Sequence, residues 1–169
     1  MPPKAVTSQT LGPALGMYSH GMVAPAGEIV VVAGQVGTDA TGKVVGASDV
    51  VAQTRQAFAN IEAVLRAAGA GMRDVVRFQT FLVYRSDIDG FMQARGEVFP
   101  GHYPDGVYPP NTLLVVSHLV KPEFLVEIEA MAVKPAPTPA PPVATVATTR
   151  ARPAVAGPSR RRSPARKRS

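Results

Sequence analysis

Phe124–Val133 reads FLVEIEAMAV, a run with strand-forming residues throughout and two glutamates set among the apolar ones. In an extended strand Glu127 and Glu129 fall on one face, about 7 Å apart, while Val126, Ile128 and Ala130 fall on the other. The apolar face calls for a packed layer. The acidic face has two readings. Charged residues alternating along a strand are ordinarily solvated, yet Leu125 and Met131 share this face, and carboxylates mixed with apolar groups suggest a subunit contact or a cleft.

Working outward, the residues before this strand alternate between sheet and helix signals. Glu28–Ala33 (EIVVVA) is a short continuous apolar run, as in a buried strand. Ser48 or Asp49 can cap a following helix in which Val51, Phe58, Ile61, Leu65 and Ala68 recur at three- and four-residue steps, with Gly69 as its terminator. Val75–Tyr84 (VVRFQTFLVY) is β-branched and aromatic and reads as a long strand. Asp87–Phe99 can form a second helix, stopped by Pro100 and Gly101, and Leu113–Val116 adds a further strand. The order predicts an α+β domain: one sheet with two helices packed on one face, leaving the other face to be covered by something else.

The chain has 169 residues, no cysteine and no tryptophan, which suits one domain and excludes disulfides, a thiol nucleophile and cysteine-held metal sites. Neither a secretion signal nor a membrane anchor is visible, so a soluble cytoplasmic protein without membrane partners is expected. The net charge of +6 divides unevenly. Residues 1–133 carry nine Lys/Arg and all twelve Asp/Glu, a net of −3, whereas residues 134–169 carry nine Lys/Arg and no acid. The folded domain is therefore expected over 1–133. Residues 134–169, rich in proline, alanine and arginine, are expected to be a disordered basic tail, because they bury too little apolar surface to offset chain entropy. The tail's RRRSPARKRS has the charge to meet nucleic acid or another acidic partner. It has no aromatic residue for base stacking, so such binding would be sequence-blind and salt-sensitive.

GTDATGKV (Gly37–Val44) nearly matches a phosphate-binding loop, but Val44 stands where the magnesium-binding hydroxyl belongs and no helix begins at Lys43. A turn with Gly42 at positive φ is the expectation. His20, His102 and His118 are too scattered in sequence to suggest a metal site, and neither metal nor cofactor is expected.

Five stretches, in order, resemble the RidA (YjgF) family, whose members hydrolyse reactive enamines and imines formed from amino acids. They are LGMYSHG (Leu15–Gly21), VVVAGQVG (Val30–Gly37), the segment Ala47–Val83, YPPNTLLVV (Tyr108–Val116) and LVEIEAMAV (Leu125–Val133). The resemblance implies a chorismate-mutase-like α+β fold assembled as a homotrimer, with small-molecule clefts between subunits. It assigns Glu127 the role of placing a water molecule, and Tyr18 and Gly34 positions lining the cleft; Glu129 inherits no role. Asn111 stands where deaminating relatives carry an arginine that grips the substrate carboxylate, and a neutral amide lacks that fork. Leu113 stands where many relatives have cysteine. Arg95 falls near a cleft-lining asparagine of relatives, which offers an exchange of roles with Asn111 as the alternative; a surface arginine on an amphipathic helix is the expectation. The resemblance thus implies a metabolite-binding trimer, with enamine or imine hydrolysis as its chemistry. The alternatives are a non-catalytic sensing trimer and a nucleic-acid-associated protein driven by its tail.

Overall fold

The computed structural model describes residues 2–136; all but the first three residues of the basic segment 134–169 lie outside them. In chain order the elements are β1 (Lys4–Val6), β2 (Gly21–Val23), β3 (Gly27–Val36), α1 (Val50–Ala67), β4 (Val75–Leu82), α2 (Ile88–His102), β5 (Asn111–Val115) and β6 (Val126–Pro135). Strands β3, β6, β4 and β5 lie side by side in that order; β6 runs antiparallel to both neighbours and β5 parallel to β4. This is the α+β, chorismate-mutase-like arrangement of one sheet and two helices. The pair β1–β2 forms a separate small sheet, not among the expected strands.

Alternation in β6 follows the reading of FLVEIEAMAV. Val126, Ile128, Ala130 and Ala132 are buried, Glu127 is half-buried and Glu129 is exposed. Beneath the buried face lies an aromatic cluster in which Phe58 of α1, Phe78 of β4 and Phe99 of α2 meet with ring centroids 5.3–5.8 Å apart. Each such side chain contributes roughly 1.5–3 kcal/mol through removal from water.

Of the two candidate caps for α1, Asp49 does the work: its Oδ1 accepts from the N–H groups of Val51 (2.9 Å) and Ala52 (3.1 Å). Gly69, at φ +72°, ends the helix. Gln53, unmarked by any apolar pattern, is fully buried because it ties α1 to the approach of β6, donating to Glu123 O (2.9 Å) and accepting from Leu125 N (3.0 Å). GTDATGKV is a turn, with Gly42 at φ +81° and Asp39 Oδ1 accepting from the backbone of Thr41 and Lys43.

Three expectations need correction. Helix α2 passes through Pro100 and Gly101 to His102, because a proline in the last turn forfeits only one N–H, while Tyr103 N–H closes the end on Phe99 O at 2.7 Å. The apolar run of β3 is not buried on both sides: Ile29 and Val31 are 67% and 69% exposed, since the helices cover one sheet face only. Strand β5 begins at Asn111, two residues before Leu113, which puts Asn111 inside the sheet. No helix among the described residues is long and apolar enough to cross a membrane.

Candidate functional site

The residues singled out from the sequence fall into two groups on opposite faces of the sheet. The first lies on the helix side, at the parallel edge. There Tyr18, Arg95 and Asn111 line one open pocket of ≈ 590 Å³ together with Leu15, Met17, Met92 and Leu113. Strand register explains the position of Asn111. It pairs with Phe78 and, two residues on, Leu113 pairs with Thr80; both partners point into the core. Thr80 Oγ1 donates to Asn111 Oδ1 at 3.0 Å, fixing the amide. Tyr18 sits in the segment before β2, which is pinned to the approach of β5 by Ser19 Oγ donating to Tyr108 O at 2.6 Å.

Arg95 is not a surface residue. It is 3% exposed, with its guanidinium carbon 5.3 Å from the Phe91 ring centre and 5.7 Å from that of Phe99. Its Nη2 donates to Met92 Sδ at 3.0 Å, Nε has no partner, and no carboxylate pairs with it among the described residues. Burial pulls its pKa below the ordinary arginine value, against an opposing effect of Tyr18. A signal for this burial exists in the sequence. Phe91, Arg95 and Phe99 follow one another at four-residue steps, so the arginine rides the buried stripe of α2.

The second group lies on the open face. Glu127 is flanked in register by Val36 of β3 and Phe81 of β4, and its carboxylate rests on Gly34. A Cβ built at Gly34 would overlap the Glu127 carboxylate and come within 2.8 Å of Glu127 Cγ, so only glycine leaves room for this side chain. Burial first, and the neighbouring Glu129 charge second, push the Glu127 carboxyl above the usual range. Exposed Ile29 and Val31, with Met131 beside them in the register, give the same face an apolar band.

The sheet therefore separates a donor pocket from a carboxylate with raised proton affinity. Within one chain Glu127 and Gly34 come together, as do Tyr18, Arg95 and Asn111; the two groups do not meet each other. No local pattern marks Met17 and Met92 as lining the pocket, or Thr80 as holding Asn111. Among the described residues no group of three or more His, Asp or Glu side chains is placed to hold a metal ion.

Residues 9–134 match the family model described as endoribonuclease L-PSP. A RutC family protein of Pyrococcus horikoshii is 36% identical over 121 residues, 71% of this chain and 89% of its own length. The 2-iminobutanoate/2-iminopropanoate deaminase of Salmonella typhimurium is 31% identical over 132 residues, 78% of this chain and 98% of its own length. Among solved structures, a Rid family protein from Yersinia pestis superposes with a TM-score of 0.68 at 34% identity, covering 79% of this chain and 100% of that one. Sequence and fold agree, and the chain belongs to the endoribonuclease L-PSP family, the RidA (YjgF) family of the sequence resemblance.

Proposed function

We propose that this protein is a homotrimer that binds small carbonyl, imine or amide-like metabolites between subunits and hydrolyses reactive imines to carbonyl compounds and ammonia. Family relatives bearing the name 2-iminobutanoate/2-iminopropanoate deaminase support the reaction class. The observation that carries the reading is Glu127: a half-buried carboxylate of raised proton affinity, seated on a glycine, on a sheet face whose apolar residues no helix covers. Such a face favours association, because exposed apolar side chains gain by leaving water. A second copy that presents its β5 edge to this face would bring its Tyr18, Asn111 and Arg95 toward Glu127 and Gly34 of the first.

In that cleft Glu127 accepts a proton from a water molecule as the water oxygen adds to the imine carbon, giving a carbinolamine. Glu127 returns that proton to nitrogen and then carries the carbinolamine O–H proton there as well, so that the C–N bond breaks, ammonia leaves and the C–O bond becomes the carbonyl. Asn111 acts as a hydrogen-bonding selector.

The test is ammonia release from imines generated in place by an amino-acid oxidase, with light scattering on the same samples. Wild type should exceed buffer and Glu127→Gln should not. A wild-type rate equal to buffer, or single chains at working concentration, overturns the proposal. Asn111 at the position of the family's arginine favours a second reading, a non-catalytic metabolite-sensing trimer whose tail meets nucleic acid or another acidic partner. Ligand binding that survives Glu127→Ala, without turnover of any imine tried, selects that reading.

A further inference from the structure

Arg95 carries a permanent charge and five N–H donors, yet it is buried with an unpartnered Nε, a thioether as its hydrogen-bond acceptor, and no carboxylate paired with it among the described residues. A buried cation in this condition is costly unless an anion arrives. The other polar side chains lining its pocket are also prepared to donate. Tyr18 Oη accepts from Leu15 N–H at 3.3 Å, which leaves its own O–H to give. Asn111 Oδ1 is taken by Thr80 at 3.0 Å, which leaves the amide N–H₂ as the free end. The remaining side chains, Leu15, Met17, Met92 and Leu113, are apolar, and no acidic residue lines the pocket.

We propose that this pocket is an oxyanion site anchored by Arg95 from helix α2. It takes a small monocarboxylate whose charged end meets Arg95, with Tyr18 and Asn111 donating alongside, and whose other end is an aliphatic group lying against Met17, Met92 and Leu113. The charge that β5 lacks at Asn111 is thus supplied from the opposite wall. This selects against neutral and cationic ligands, since neither compensates the guanidinium. The inference rests on the reading of this pocket as the ligand site, and not on hydrolysis there.

The test is calorimetric titration of the full-length protein with 2-oxobutanoate and, separately, with its uncharged methyl ester. Wild type should bind the carboxylate roughly tenfold or more tightly than the ester, as expected for a charge-assisted pair. Arg95→Met should abolish that preference, and Arg95→Lys should restore only part of it, for want of the planar fork. Equal binding of acid and ester by wild type, or no binding of either, overturns the inference; so does an Arg95→Met variant that keeps the wild-type preference. Should Arg95→Met fail to fold, the wild-type comparison of acid with ester decides alone. Absence of imine turnover beside an intact carboxylate preference sinks hydrolysis and leaves the anion site standing; turnover without that preference does the reverse.

Discussion

Replacing Gly34 by alanine should separate activity from stability. The added Cβ would overlap the Glu127 carboxylate, with Glu127 Cδ at 2.6 Å and Cγ at 2.8 Å, far inside the ~3.5–4.0 Å at which carbon atoms rest. Gly34 does not occupy the left-handed region, so alanine strains no backbone there. The obstacle is the free end of a half-buried side chain, which can swing aside at a cost on the order of 0.5–1.5 kcal/mol for an off-rotamer position. The carboxylate would move by an ångström or more, and a misplacement of about 1 Å can cost about 10²-fold in rate. Gly34→Ala should therefore lower kcat for imine hydrolysis roughly a hundredfold in the ammonia assay, while urea unfolding shifts by no more than about 1.5 kcal/mol. A double-mutant cycle sharpens this: in a Glu127→Gln background, Gly34→Ala should add almost nothing to the rate loss. Full activity in Gly34→Ala, or losses from the two substitutions that simply multiply, would refute the idea that glycine is there to seat Glu127.

Glu127 binds its proton more tightly folded than unfolded, so its contribution erodes stability as pH rises from the ordinary carboxylate range of about 4.3. Glu127→Gln should accordingly unfold at higher denaturant than wild type at pH 7, with the difference shrinking below about pH 4, and the acid limb of kcat/KM should lie above the ordinary carboxylate range. Arg95→Met should raise the melting temperature of the ligand-free protein, because loss of an uncompensated buried charge outweighs the cation–π contacts to Phe91 and Phe99, worth about 0.5–2 kcal/mol; a lower melting temperature marks Arg95 as structural. Asp49→Ala should cost about 1 kcal/mol in chemical denaturation through loss of the α1 cap.

What could be read from the sequence depended on the range of the interaction. Local signals sufficed for α1, where Asp49 caps, Phe58, Ile61 and Leu65 face the core, and Gly69 terminates. They also sufficed for β6, whose period of two sorted Ile128 from Glu127 and Glu129. The end of α2 escaped because a proline rule for helix interiors says little about a last turn. Exposure of Ile29 and Val31 escaped because a continuous apolar run does not say whether its second face is covered by the same chain or another. Asn111, Tyr18, Gly34 and Glu127 were singled out by resemblance, and nothing local could show that the sheet would divide them into two groups.

Arg95 shows how an apolar stripe can conceal a buried charge. Helical patterning treats any charge as an outward mark, so an arginine between Phe91 and Phe99 is read as an interruption of the buried face when it belongs to that face. The physical balance gives the reason for suspicion. A guanidinium held among phenylalanine rings and a thioether, with Nε unpartnered, lowers the stability of the ligand-free fold. The same placement preorganises a donor in a low-dielectric pocket, where attraction to an anion is least screened. Stability and recognition therefore set opposite requirements at this one position. An apolar residue would satisfy the first, and so would an exposed arginine whose charge stays in water, so it is the burial of Arg95 that points to the second.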